Sequence, residues 1–448
     1  MGGLGAVLEP AIVLGLLFGG TWINRNKNYN FTWQDKTRPL PPRVSIDEES
    51  LPESPSSWAT DDALLPEKTS SGLLNPDNAQ AKWRTRELKF FGLSKSILTP
   101  NSRVFENSRF SRIVKKMPFI QEVWYWGLIY WVYQLGRAFT AVTLVEGTVH
   151  VARKHALQLI ELEKSLHLFW EVPIQQFFLQ HPFAMTWINR IYSFIHIPGT
   201  ILFLVWLYNY TSPAASTLPL PPTPHKPALA GPRLFEARRR TMATCNLIAF
   251  IVFTLWPCMP PRLLSDPTYN GPSASQARSY GFVDTVHGNG GEGSVWTQNK
   301  FCNQYAAMPS LHFGYSLLIG LTILSIPLAS DSTSSNGHRR SSSGNISISF
   351  KGSRLNIPYP RWKRFICVLL GIAYPTTILI AIIATANHFI LDAAAGALVC
   401  GIAWCANDFL LNLLPLEDWF LYFCRFTFTD RAFDAESEKI LGGYFGPV

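Results

Sequence analysis

Three short stretches carry residues that could do chemistry together. In the first, Ala306-Ala307-Met308-Pro309-Ser310-Leu311-His312 opens directly into an apolar run from Phe313 to Leu328. A serine and a histidine at the mouth of a membrane-length helix make a place to hold an anion. Pro309 suits the first helical position, where its missing N–H would be unpaired anyway, and the free N–H groups behind it point out of the helix end. Ser310 can donate to a phosphate oxygen, and His312 can give or take a proton beside it. In the second stretch, Asn387-His388-Phe389-Ile390-Leu391-Asp392, the histidine and aspartate are four apart. If the segment is helical they share a face, and the carboxylate can fix the imidazole's tautomer. The third, Pro260-Pro261-Arg262, sets a guanidinium where another apolar run ends, and its fork matches phosphate oxygens two at a time. Such a set could hold a phosphoryl group, attack it and protonate what leaves.

Composition indicates the elements that must position these residues. Only 15% of the 448 residues are charged, against about 25% in a soluble domain, and there are 15 Trp and 30 Phe. This is the composition of a multi-pass membrane protein diluted by long polar segments. The formal charge of +9 does not point to nucleic acid, because the Lys and Arg gather beside apolar runs as cytoplasmic loops require.

The expected fold is an all-α, multi-pass transmembrane helical bundle of about six to seven spans. Residues 1–23 read as a membrane anchor: no basic residue precedes the apolar run, while Arg25 and Lys27 follow it, the wrong order for a cleaved signal. Residues 24–117 read as a largely disordered cytoplasmic segment, polar and Pro/Ser-rich, then basic. The transmembrane catalytic domain is expected over 118–413, with spans near 119–145, 184–208, 241–256, 313–328, 365–386 and 389–413. Low-complexity loops fall at 209–240 and 330–364, and a cytoplasmic tail at 414–448. Val149 to Trp170 has helical apolar spacing broken by Arg153, Lys154, Glu161, Glu163 and Lys164, the pattern of a helix lying in the membrane interface. Arg137 and Arg190 lie inside apolar spans, where a charge needs a partner or a watery cavity.

Topology follows from charge. Segments 24–117, 209–240 and 330–364 carry about 16, 5 and 7 Lys plus Arg, whereas 258–309 carries only Arg262, Arg278 and Lys300. The first three are therefore expected in the cytoplasm. That alternation places Arg262, Ser310, His312, His388, Arg137 and Arg190 near the opposite face, and leaves the sequons at Asn30, Asn209 and Asn345 cytoplasmic and unmodified. Cys258 and Cys302 alone fall in the long non-cytoplasmic loop. A disulfide closing it and two separate thiols are both open.

Together the three stretches resemble the type-2 phosphatidic acid phosphatase superfamily, and within it the branch that includes fungal inositol phosphorylceramide synthase. The resemblance covers residues 120–413. It departs from the phosphatase pattern in three ways: the lysine of the first motif is missing, Leu311 stands for the glycine between serine and histidine, and Ile382 replaces an arginine six residues before His388. The synthase-like branch tolerates these changes, and Arg137 and Arg190 are the candidates to supply the missing charge. The resemblance implies a catalytic His388 that forms a phosphohistidine, oriented by Asp392, with His312 as acid and base. It implies phosphate binding by Arg262 and Ser310, with no metal or cofactor. A phospholipid or sphingolipid is the implied substrate, in Golgi or ER membrane with a lumenal active site. A lipid phosphate phosphatase using water as acceptor, and a non-catalytic protein or transporter keeping the scaffold, are the alternatives. Each residue also has a structural reading: His388 and Asp392 as a packing pair, Ser310 as a helix cap, Arg262 as a snorkelling anchor, Tyr192 and His196 as packing between helices.

Overall fold

A computed structural model describes residues 2–27, 29, 82–90, 92–143, 147–212, 231–286, 305–326, 345–350 and 353–428. It is mostly helical. In order, the chain forms α1 (Gly2–Ile23), a hairpin β1 (Trp83–Phe90) and β2 (Leu93–Pro100), α2 (Arg109–Lys116), α3 (Phe119–Thr143), α4 (Thr148–Ser165), α5 (Glu171–Leu179) and α6 (Pro182–Arg190). A π-helical turn at Ile191–Ile195 joins α6 to α7 (His196–Tyr210). Then come α8 (Pro232–Leu255), a 3-10 turn at Pro261–Ser265, α9 (Ala274–Ser279) and α10 (Leu311–Ser325). A second hairpin, β3 (Asn345–Phe350) and β4 (Ser353–Pro358), precedes α11 (Tyr359–Ala384), α12 (Ile390–Ala406), a 3-10 segment Asn407–Leu413 and α13 (Leu414–Phe423).

Among the described residues three helical stretches are long and apolar enough to cross a membrane: Pro182–Tyr210, Trp362–Ala384 and Ile390–Phe423. The expected six to seven spans are not all reached by this measure, for identifiable reasons. The helix α8 carries Arg233, Glu236 and Arg238–Arg240 in its first half, and α10 has 15 residues, about 22 Å of rise. Trp and Tyr lower the hydropathy of α3. Large apolar side chains such as Trp131, Leu135, Leu369 and Leu398 point outward, as a lipid-facing surface requires.

The basic end of the segment expected to be disordered is ordered. There β1 and β2 pair antiparallel from Trp83 opposite Pro100 to Phe90 opposite Leu93, and Arg84 and Arg86 both reach Asp418 on α13. That contact also folds the start of the expected tail. The two hairpins depart from a purely helical fold. The glycine-rich stretch 288–293 and Cys302 lie outside the described residues.

Close backbone approach sets how α10 sits against its neighbours. A methyl at Gly396 on α12 would run into the Ser310 carbonyl oxygen, and one at Gly320 on α10 into that of Gly371 on α11. Small residues at such crossings let helix backbones touch. The crossing at Gly396 brings the start of α10 beside the start of α12, where the candidate residues lie.

Candidate active site

The site is built from three chain ends that converge. Helix α11 stops because Ala386 adopts a left-handed conformation, φ +52°, an uncommon and mildly strained choice for a residue with a Cβ. The N–H groups of Asn387 and His388 then both return to the Ile382 carbonyl, at 3.0 and 3.2 Å. This turn delivers His388 just before α12 starts, so His388 and Asp392 do not share a helical face as their spacing suggested. Asp392 is the third residue of α12, and its Oδ2 accepts the Phe389 N–H at 2.8 Å.

His388 is 6% exposed and its Nδ1 lies 2.8 Å from the Ala307 carbonyl oxygen. A carbonyl only accepts, so Nδ1 carries the hydrogen and Nε2 keeps a lone pair. Asp392 Oδ2 is farther, 3.5 Å from Nδ1. The tautomer is therefore set first by a backbone oxygen, and the carboxylate adds negative charge behind the ring. Ala307 is itself held in place: its N–H donates to the Cys258 carbonyl at 3.1 Å, and Cys258 N–H donates to the Tyr305 carbonyl at 2.8 Å. Burial pushes the Cys258 thiol well above its ordinary value, keeping it protonated.

The start of α10 corrects the expectation for Pro309. Ser310 is the N-cap, its Oγ accepting the Phe313 N–H at 3.3 Å, so Pro309 precedes the helix rather than opening it. A hydroxyl that accepts still has its own proton to donate. The Ser310 N–H reaches the Asp392 carbonyl at 2.9 Å, tying α10 to α12. In the first turn, His312 Nδ1 stands 3.4 Å from His388 Nε2. Tyr192 stacks on the His312 ring at 5.0 Å, and the His196 ring lies 5.1 Å away. Both come from the π turn and its end, a local widening often found at functional sites. They pack between helices, as expected, and the ring they pack on is that of His312.

Arg262 is 8% exposed and turned inward, which removes the snorkelling reading. Its N–H donates to the Ala386 carbonyl at 2.9 Å, its Nε to Asn387 Oδ1 at 2.9 Å and its Nη1 to Asp284 Oδ2 at 3.1 Å. The guanidinium is thus anchored to the turn that carries His388. Ile382, where the phosphatase pattern has arginine, is fully buried among apolar side chains including Ile378 and Ala393. Contacts in the structure join Arg262, Ser310, His312, His388 and Asp392 into one group. Arg190 ends α6 with its guanidinium 5.6 Å from the Trp187 ring centroid. Arg137 lies on α3 with its side chain outside the described residues.

Several participants were not legible as such. Glu163 and Glu171 are fully buried, and their Oε1 atoms accept the N–H groups of Leu391 and Ile390, each at 2.8 Å. Arg153, also buried, donates to the Leu263 and Leu264 carbonyls and so fixes the turn behind Arg262. The helix α4 is thus not a simple interfacial helix; its inward charges brace the site. An apolar run interrupted by inward and outward charges alike offers no sequence signal that separates the two.

The chain matches the PAP2 superfamily over residues 157–218, 228–329 and 355–406. These segments include Arg190, Arg262, Ser310, His312, His388 and Asp392 and leave out Arg137. No curated protein and no solved structure gives a significant match. The match, over just under half of the chain, supports the type-2 phosphatidic acid phosphatase superfamily and a phosphatase-type enzyme, and is consistent with a lipid substrate.

Proposed function

We propose that this protein is an integral membrane lipid phosphotransferase that works through a phosphohistidine at His388 and moves a phosphoinositol or similar phosphoryl head group between lipids. The observation that carries the reading is the fixed tautomer of His388: with Nδ1 donating to Ala307, the Nε2 lone pair is left facing His312. In the first step Nε2 bonds to phosphorus, the phosphorus–oxygen bond to the leaving alcohol breaks, and His312, protonated, gives that oxygen its proton. In the second the acceptor hydroxyl gives its proton to His312 and its oxygen attacks phosphorus, releasing His388. Arg262, Ser310 and the N–H groups opening α10 would neutralise the equatorial oxygens, and Asp392 the charge on the phosphorylated imidazole.

The 3.4 Å between the two imidazoles cannot hold a phosphorus atom, so an entering phosphoryl group parts them and His312 acts from beside the line of attack. The positive-inside bias favours a lumenal site; labelling of a cysteine placed in the 258–309 loop from the cytoplasmic side of sealed vesicles would contradict it.

The test is acceptor competition on purified protein. Labelled phosphatidylinositol with ceramide is compared with labelled phosphatidic acid in water, for wild type and His388→Ala. Head-group transfer to ceramide, lost in His388→Ala, supports the reading. Free phosphate alone makes the protein a phosphatase, and neither product from folded protein makes it non-catalytic.

A further inference from the structure

Three carboxyl groups converge on three consecutive amides at the start of α12. Phe389 N–H donates to Asp392, Ile390 N–H to Glu171 and Leu391 N–H to Glu163, all at 2.8 Å. These amides follow His388 directly, so whatever holds them holds the nucleophile of the proposed reaction. The second oxygen of each carboxyl is buried with no hydrogen-bond partner among heavy-atom donors. Three ionised carboxylates in that space would each carry a heavy desolvation cost, and the positive end of one helix dipole does not offset them. A proton shared between Glu163 and Glu171 eases both problems, because it removes one of the three charges and supplies a donor for two of the three oxygens.

We propose that Glu163 and Glu171 are positioning residues that share one proton and together clamp the Ile390 and Leu391 amides, fixing His388 while keeping excess negative charge away from an incoming phosphate. The two side chains hold adjacent amides, Leu391 and Ile390, from the same side of the α12 start, and the second oxygen of each is buried beside them. Burial first, and then the Glu171 carboxylate, push Glu163 up to about 9, and burial raises Glu171 as well. The groups facing the pair are Asp392 at the α12 start, itself 3.5 Å from His388 Nδ1, and Cys258 from the strand-like segment after α8. Lys164, next on α4, turns away to the Phe169 and Tyr280 rings. The role in positioning rests on the phosphohistidine reading; the shared proton does not.

Glu163→Gln tests both parts. Its carbonyl can keep the Leu391 N–H and its amide can replace the shared proton, so activity at pH 7 stays within about threefold of wild type, whereas Glu163→Ala, which orphans that N–H, loses at least tenfold in kcat with KM little changed. A readout that needs no turnover is thermal unfolding between pH 5 and 10. A carboxyl raised in the folded state gives stability that is lost as pH climbs from its unfolded value, about 4.5, to about 9. The difference in Tm between Glu163→Gln and wild type therefore grows across that window and levels above it. A difference constant with pH overturns the shared proton, and Glu163→Gln as inactive as Glu163→Ala overturns the clamp. Glu171→Gln, equivalent by the same geometry, must give the same pattern if Glu163→Gln fails to fold. A protein with no phosphohistidine but a growing Tm difference would sink the functional reading and leave the pair intact.

Discussion

The two ends of the helix bundle treat charge in opposite ways. At the end where α8 begins and α12 finishes, acids meet bases directly: Asp418 takes Arg84, Arg86 and the Thr99 hydroxyl, Glu122 takes Arg239 at 2.6 Å, and Asp408 takes Arg240 at 2.9 Å. At the far end, some 36 Å away along the 24 residues of α8, Asp392, Glu163 and Glu171 are met by backbone amides, and His388 by a carbonyl. Arg262 with Asp284 makes an ordinary ion pair there, and half of that guanidinium is spent on Asn387. Matched charges hold a fold, while groups balanced by dipoles keep their capacity to bind an anion or move a proton. The difference sets the candidate site apart from the rest of the bundle without reference to any relative.

Substitutions that exchange the behaviour of the two ends sharpen this contrast. The largest effect is expected from Arg262→Lys, which keeps the charge and loses the fork. It should lower kcat/KM about 100-fold, a loss typical of one oxyanion donor, with Tm within a few degrees of wild type. Its counterpart Asp418→Ala leaves two arginines without their carboxylate, costing about 3–5 kcal/mol of stability, while surviving folded protein keeps its kcat/KM. If both variants lose activity and stability together, the two ends do not divide the work.

Next is Gly396→Ala, whose methyl would push α12 off the Ser310 carbonyl. Displacing Ser310 and His312 relative to His388 should cost up to about 100-fold in kcat. Gly401→Ala on the same helix, with open space around it, is expected to be silent. The smallest of the three is Asp392→Asn, about tenfold in kcat, because the Ala307 carbonyl still fixes the His388 tautomer. A loss of several thousandfold would mean that Asp392, not Ala307, orients the ring. Steady-state kinetics on a single lipid donor measures all three.

How much of this was readable beforehand depends on where each group's partner resides. Pro260-Pro261-Arg262, Ser310, His312 and the His388–Asp392 spacing stood out because side-chain letters carry the chemistry. Ala307 did not, since its contribution is a backbone oxygen that any residue supplies. Glu163 points inward while Glu161 and Lys164 do not, and a charge interrupting an apolar run reads as outward whichever way it faces. The β1–β2 hairpin was hidden by its basic residues, which suggested solvated chain; its order comes from Asp418, over 300 residues away. The turn at Ala386 was equally silent, because left-handed backbone at a helix end is signalled by glycine, and there is none.

Trapping the covalent intermediate tests the central claim most directly. Purified protein is mixed with a lipid carrying a labelled phosphoryl head group, quenched within milliseconds and digested. Acid-labile, base-stable label on the peptide containing His388, absent from His388→Ala, is the predicted result. Folded wild-type protein that takes up no label from any of a panel of phospholipids, or that carries it on another residue, would contradict the account.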